Sequence, residues 1–217
     1  MIRAVLFILL CTTKAVFADG RLSAAGRIET VGEAGSCSAV LVRQDVIATA
    51  AHCANDKKKI FRPGDGRRGP MFTVAKFIRH PFYEQHIDQG AWRLRFDIAI
   101  GMLEHPVPED RATPVPLGEV AALDEELFLL SWRKDGTWQP RQRKCPVIPG
   151  IPGLVTLACR VEGGESGAPL FRKTEEGLEL VAIISSRSRQ LNQPIAQASD
   201  VALRLPPLFD MIDAKTP

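Results

Sequence analysis

The chain lacks the features that mark a membrane-spanning or nucleic-acid-binding protein. Among its 217 residues, no apolar run approaches the roughly 20 residues that a membrane helix needs. Its formal net charge is only +3, too small an excess to indicate nucleic acid as a partner. Internal repeats and low-complexity tracts are also missing from the sequence. These absences favour an ordinary globular protein.

The composition is compatible with a folded β protein. Hydrophobic residues make up 45% of the sequence and charged residues 24%, which is ordinary for a globular domain. The length suits one all-β domain or two small ones, because barrels and sandwiches often run to about 200–250 residues. The chain is therefore long enough to bury a hydrophobic core.

The first 18 residues have the pattern of a secretory signal peptide. Arg3 supplies a positive charge, residues 4–13 are mostly apolar, and Ala18 ends a segment suited to cleavage. A lipoprotein anchor at Cys11 is the alternative, but leucines precede it where such a signal usually carries a small residue. We therefore expect an exported protein, periplasmic or secreted, whose folded domain spans residues 19–217.

Cysteine usage agrees with export. Removal of the signal peptide leaves four cysteines, an even number that suits disulfides in an oxidising compartment. Three pairings of four cysteines are open. A metal site formed by Cys37, His52 and Cys53 is an alternative, but its spacing matches no ordinary zinc motif. We therefore expect neither a metal nor a cofactor.

Short apolar segments between glycine, proline and charged residues predict a β-rich fold built from barrels. The tail from Pro206 to Ala214 predicts one helix, because it starts after two prolines and has apolar residues at helical spacing. The stretch 104–124 is expected to connect two halves. Strands are expected at 38–42, 46–49, 72–78, 97–103, 127–132, 155–161, 168–171 and 178–185.

Three distant segments each offer one member of a Ser-His-Asp site. His52 follows an apolar strand, Asp97 begins another, and Ser166 lies in a glycine-rich turn. Serine needs an adjacent base to become a nucleophile, and histidine can take a proton and return it near neutral pH. A carboxylate can fix the orientation of the imidazole. All four histidines precede Ser166, which excludes α/β-hydrolases, because their histidine follows the serine.

The order His, Asp, Ser and its surroundings resemble the chymotrypsin/trypsin-like serine proteases. The sequence Ala-Ala-His-Cys occupies 50–53, and Gly-Glu-Ser-Gly-Ala-Pro-Leu occupies 164–170. Residues 80–83 and 104–107 are similar to the family's surroundings for its aspartate. The resemblance covers nearly the whole mature length. It implies an all-β fold of two six-stranded antiparallel β-barrels with a short C-terminal helix.

The resemblance also implies an activity and a role for each site residue. The protein would be a serine endopeptidase that cleaves protein or peptide substrates through an acyl-enzyme, as a monomer. Ser166 would attack, His52 would act as base and then acid, and Asp97 would orient His52. The N–H groups of Gly164 and Ser166 would form the oxyanion hole, where one donor is typically worth about 3–4 kcal/mol of barrier. The implied substrate-binding residues are Ser185, Ser186 and Arg187.

Two disulfides are also expected. In the family, a bridge like Cys37–Cys53 flanks the catalytic histidine and would be worth roughly 3 kcal/mol in the loop-closure model. The remaining two cysteines would then pair as Cys145–Cys159.

One acidic residue departs from the family pattern. Glu165 stands where these enzymes usually have an aspartate that pairs with a new N-terminal amine in activated zymogens. The sequence Arg-Ile-Glu at 27–29 is only a faint echo of such an activation junction. We therefore expect no trypsin-style zymogen switch, and we expect Glu165 to pair with another cation, such as an arginine.

Arginine at 187 and a basic run are further departures. Arg187 stands where glycine is frequent, so it would narrow the pocket or favour acidic side chains; alternatively, it points into solvent. The run Lys57-Lys58-Lys59 with Arg62, Arg67 and Arg68 is expected to form a solvated surface loop, with docking of acidic partners as the alternative.

Two other functions fit the same motifs. A non-catalytic homologue with an occluded cleft would act as a protein-binding module, and an esterase would use the same triad on simpler substrates.

Overall fold

The computed structural model describes residues 22–64, 69–86, 88–133, 139–190 and 193–214. The expected signal peptide and Arg67 and Arg68 of the basic run lie outside the described residues. Within this part, twelve strands form two antiparallel sheets.

The first sheet is a closed six-stranded barrel with strand order β1-β2-β3-β6-β5-β4, in which β4 pairs back onto β1. Pairing between Thr49 on β3 and Ala99 on β6 brings the segments that hold His52 and Asp97 together. The strands are β1 (Ala25–Thr30), β2 (Ser36–Arg43), β3 (Val46–Thr49), β4 (Lys59–Pro63), β5 (Phe72–Arg79) and β6 (Ala99–Leu103).

The second sheet has six strands in the order β8-β7-β10-β11-β12-β9. Its end strands are joined by an isolated bridge between Val147 and Leu157 and by the disulfide Cys145–Cys159. The expected trypsin-like fold is confirmed, although this second sheet is a half-barrel rather than a closed barrel. The strands are β7 (Glu126–Ser131), β8 (Arg141–Pro146), β9 (Val155–Leu157), β10 (Pro169–Thr174), β11 (Gly177–Gln190) and β12 (Gln193–Asp200).

In the ranges that the structure describes, four short α-helices accompany the sheets: α1 (Pro81–Gln85), α2 (Ala91–Leu94), α3 (Val201–Arg204) and α4 (Pro206–Asp213). The predicted C-terminal helix is confirmed as α4. The expectation of a single helix was wrong, because helices of four or five residues are too short to show a periodic apolar pattern. Within the described residues, no helix has the length and apolar character required to cross a membrane.

The largest hydrophobic cluster joins the two sheets. Leu41 and Phe61 of the barrel belong to the same buried cluster as Trp132 and Phe171 of the second half. Leu208 of α4 is also fully buried in it. Burial of such side chains is worth about 1.5–3 kcal/mol each. The seam between the sheets is therefore a packed core, and the site described below lies along it.

The basic run is only partly the solvated loop that the sequence predicts. Lys57 and Lys58 are exposed, but Lys59 and Arg62 lie on β4. Lys59 is 6% exposed and donates to Thr30 Oγ1 at 2.7 Å. For Lys59 and Arg62 the expectation was wrong, because pairing of β4 with β1 turns both side chains toward neighbours on that strand.

His80 should make the protein less stable in mild acid. Its Nδ1 accepts from Phe82 N at the start of α1. Burial, together with the charge of Arg204, lowers the pKa of His80 from 6.5 to about 4. Between these two values the unfolded chain binds a proton that the folded chain does not. Stability should therefore fall as pH drops through this window and level off below it, by on the order of 2 kcal/mol.

The comparison that isolates this effect uses His80→Asn, which keeps a side-chain acceptor at the helix start. Urea unfolding of both proteins between neutral pH and about pH 4 should show a smaller loss of stability for the variant. Identical losses in the two proteins would contradict the assignment to His80.

Candidate active site

The backbone around His52 is held in place, and its side chain faces solvent. It is the middle residue of a single 3-10 turn, Ala51–Cys53, which follows β3. Cys53 is joined to Cys37 on β2 by the expected disulfide. The His52 side chain is 37% exposed, so a substrate can reach its ring.

Asp97 is buried and holds His52 at two points. The residue is 2% exposed. Its Oδ1 accepts from the backbone N–H of His52 at 2.9 Å, and its Oδ2 lies 2.7 Å from His52 Nδ1. Because an ionised carboxylate only accepts hydrogen bonds, we assign the ring proton to Nδ1. Nε2 is then left as the atom that can accept a proton.

Ser185 provides a third hydrogen bond to Asp97. The pairing of β11 with β12 shifts register between Ile184 and Ser186, and such a bulge re-aims a side chain. The hydroxyl of Ser185 donates to Asp97 Oδ2. The sequence predicts Ser185 only as a substrate-binding residue, so its bond to the carboxylate was missed.

The turn that carries Ser166 is docked against β2. The carbonyl of Ser166 accepts from Ser38 N at 2.7 Å, and Ser38 Oγ donates to the carbonyl of Gly164 at 3.1 Å. Gly167 has a φ of +78°, and a Cβ there would come within 2.2 Å of Ser38 O and Thr49 Oγ1. Only glycine permits this approach. The turn that carries Ser166 therefore packs closely against the end of β3, which precedes His52.

Several backbone N–H groups in the turn that carries Ser166 have no acceptor among the described residues. Among the described residues, those of Gly164 and Ser166 meet no hydrogen-bond acceptor, whereas Glu165 N donates to Glu162 O and Gly167 N donates to Ile184 O. Gly164 adopts a φ of +95°. Free N–H groups in such a turn form a concavity that can hold an anion.

Glu165 is fully buried under the same turn. One carboxylate oxygen contacts the guanidinium of Arg143 and accepts from Ser131 Oγ at 2.7 Å. The other accepts from Glu162 N at 2.7 Å. Arg143 lies on β8 and also donates to the carbonyl of Arg160. The turn therefore has an internal cationic partner, of the kind that the sequence predicts.

A cleft of about 360 Å³ opens beside Ser166. Ile184, which is 1% exposed, forms an apolar part of the cleft wall. At its rim, the carboxylate of Glu162 pairs with Arg133. Arg187 is exposed and has no ion-pair partner in the described part of the chain. The cleft is lined by Val161, Glu162, Gly163, Ser166, Ile184, Ser185, Ser186 and Arg187.

A smaller cleft of about 160 Å³ lies beside His52. Its lining includes Cys37, Cys53 and the β1 residues Ile28 and Thr30. Recesses therefore adjoin both His52 and Ser166, as an extended ligand crossing the site would require.

Comparison with protein-family models assigns the chain to a family. The trypsin family model matches residues 19–151, which is more than half of the sequence. The chain belongs to the trypsin family. The matched region contains His52 and Asp97, whereas Ser166 lies beyond its end.

Solved structures extend the likeness across most of this trypsin-family chain. The thermostable serine protease AL20 from an extremophilic microorganism aligns with a TM-score of 0.64 and 16% sequence identity. The alignment covers 83% of this chain and 92% of AL20. At that identity the likeness shows a shared fold alone. Comparison with curated proteins gave no match.

The alternative of a metal site formed by Cys37, His52 and Cys53 does not fit the structure. The sulfur atoms of Cys37 and Cys53 lie near the His52 ring, but they are bonded to each other. A thiolate is the form of cysteine that binds metals, so this cluster has no cysteine ligand to offer.

Removal of the Arg143 charge should destabilise the protein. Arg143→Met leaves the buried Glu165 without its cation, which should cost about 2–4 kcal/mol. The matched control is the neighbouring Lys144→Met, whose exposed partner is Glu126 and whose loss should cost no more than about 1 kcal/mol. Chemical denaturation measures both, and equal small effects would contradict a stabilising role for Arg143.

Proposed function

We propose that this protein is a serine endopeptidase that works through His52, Asp97 and Ser166. The observation that carries the proposal is the pairing of His52 Nδ1 with the buried Asp97, beside a serine turn with free N–H groups. Membership of the trypsin family supports peptide-bond hydrolysis.

Attack on the peptide bond would begin with proton transfer from Ser166 Oγ to His52 Nε2. With Nδ1–H donating to Asp97, the ring presents Nε2 as base. The buried carboxylate stabilises the imidazolium that forms. Ser185 fixes the same carboxylate from the second sheet, so it acts as a positioning residue through Asp97.

The tetrahedral intermediate would place its oxyanion on the N–H groups of Gly164 and Ser166. His52 then returns the proton to the leaving amine, the C–N bond breaks, and Ser166 holds the acyl group. Water, deprotonated by His52, attacks the ester, and collapse of the second intermediate releases the acid and restores Ser166. The free state of both donors supports this role.

We also propose that the site forms without a new N-terminal amine. Arg143 already neutralises Glu165, and that carboxylate bonds Glu162 N at the start of the serine turn. The positive charge that holds the turn of Ser166 would then come from Arg143 within the folded chain, and cleavage of the chain would not be needed to supply it.

The family and the two disulfides indicate an exported or extracellular protein. A signal peptide ending at Ala18, a periplasmic or secreted destination and a monomeric state are proposals that rest on the sequence.

One observation favours a catalytically impaired homologue that binds proteins. In the described part of the chain, the hydroxyl of Ser166 has no hydrogen-bond partner, His52 included. Such bonds are often long in unliganded enzymes and tighten around a substrate, so an activity measurement separates the two functions.

A fluorophosphonate probe should label the folded protein at Ser166. Ser166→Ala should abolish labelling, and His52→Ala should slow it by about 10⁴-fold or more, because the members of a triad act as a unit. The control Ser188→Ala changes an exposed serine on β11 and should label normally. Absence of labelling in folded protein would support the binding module, and ester turnover without casein hydrolysis would support an esterase.

The residue before the cleaved bond should be acidic rather than basic. Arg187 is an uncompensated cation at the cleft, whereas Glu162 is already neutralised by Arg133. A fluorogenic peptide library should show this preference, and Arg187→Gln should reduce it by about tenfold. Preference for lysine or arginine at this position would contradict the basic pocket.

A further inference from the structure

Two arginines stack on aromatic rings beside the segment that carries Asp97. The guanidinium carbon of Arg95 lies 3.8 Å from the centroid of the Trp92 ring, and that of Arg204 lies 4.6 Å from the centroid of the Phe96 ring. Such stacking fixes the plane of the guanidinium. Trp92 is 46% exposed, so this Arg95–Arg204 cluster reaches the surface.

Neither arginine forms an ion pair or a side-chain hydrogen bond in the described part of the chain, although the charge of Asp200 acts on Arg204 at longer range. In the described residues, each guanidinium lacks a hydrogen-bond acceptor and an ion pair, and each Nε is buried. A guanidinium carries five N–H donors, so most of the donor capacity of this cluster is unused. Other arginines of the protein do contact carboxylates, among them Arg43, Arg62, Arg79, Arg143 and Arg172.

The two charges converge on one point. The position that a Cβ would occupy at Gly153 lies 3.2 Å from Arg95 Nε and 3.6 Å from Arg204 Nη2. Burial has the largest effect and lowers the pKa of Arg204; the charge of Asp200 raises that pKa, and the charge of Arg95, the smallest of the three effects, lowers it. Asp200 compensates only part of this charge, because one carboxylate acts against two guanidinium groups and its Oδ1 already accepts from Leu203 N at the start of α3. An oxyanion between the arginines would relieve their repulsion.

The cluster lies close to the catalytic groups. Arg95 is two residues before Asp97 in the chain. Ser199 on β12 donates its hydroxyl to the carbonyl of Leu94 at 2.9 Å, and β12 pairs with the β11 segment that carries Ser185. These contacts link the cluster to the segments that hold Asp97 and Ser185.

We propose that the Arg95–Arg204 cluster binds carboxylates of an acidic segment of the polypeptide substrate, outside the cleft that holds the residue being cleaved. The proposal rests on the proposed endopeptidase function. The planar fork of each guanidinium matches a carboxylate. The connection through Leu94 and Asp97 to the active site favours a substrate segment over an unrelated polyanion such as a sulfated polysaccharide.

Binding is measured on the full chain carrying Ser166→Ala, so that no cleavage is needed. The probes are two synthetic peptides that differ only in four consecutive residues, glutamate in one and glutamine in the other. Calorimetric titration at low salt should give the glutamate peptide about tenfold or more tighter binding, and added salt should reduce the difference. Because catalysis is absent from this measurement, its failure and the failure of the proposed activity are separate results.

Arg95→Gln with Arg204→Gln should abolish the preference for the glutamate peptide. The matched control is Lys58→Gln with Lys76→Gln, which removes two exposed charges that have no ion-pair partner among the described residues. This control should retain the preference. If the double variant does not fold, the single variants Arg95→Gln and Arg204→Gln are compared with Arg187→Gln, which removes the cation of the cleft. The preference for the glutamate peptide should fall in the first two variants and persist in the third. Equal affinity for both peptides, or a preference lost only in the lysine variant, would overturn the proposal. Binding of dextran sulfate that needs both arginines and is not displaced by the glutamate peptide would also overturn it.

Discussion

The buried carboxylate of Asp97 is the interaction on which the candidate site depends. It accepts from the backbone and the ring of His52, both held by the first barrel, and from Ser185 of the second sheet. An ionised carboxylate with so little exposure would be costly without such donors. The hydrophobic seam between the sheets provides the fixed distance that lets all three donors meet it. The geometry of the candidate site therefore depends on how the two halves pack against each other.

A second buried carboxylate plays a corresponding part on the other side of the seam. Glu165 joins Arg143 on β8 and Ser131 on β7 to the turn that presents Ser166. Gly167 and Ser38 then dock that turn on the first barrel. Two buried acids, one for the imidazole and one for the serine turn, thus connect elements far apart in sequence. The cation that pairs with Glu165 in the described structure is Arg143 of the same folded chain.

The sequence predicts the fold class and the central site residues because short motifs carry them. It misses β1, β4, β8 and β12, which contain many charged, polar or small residues, because pairing with neighbouring strands rather than an apolar pattern makes them strands. The bond from Ser185 to Asp97 depends on a bulge in β11, and the partnership of Arg143 with Glu165 depends on the contact between a strand and a distant turn. A local sequence pattern contains neither the contact of Ser185 with Asp97 nor that of Arg143 with Glu165. The sequence therefore predicts only that some cation, such as an arginine, pairs with Glu165.

Nuclear magnetic resonance of the His52 ring, with ¹⁵N-labelled imidazole, tests the central claim most directly. We expect a ring proton that resides on Nδ1 and exchanges slowly with water, because Asp97 accepts it in a buried position. Asp97→Asn should remove that signal, and Ser185→Ala should shift it while leaving the fold intact. A proton found on Nε2 instead, or a ring signal indifferent to Asp97, would contradict the account.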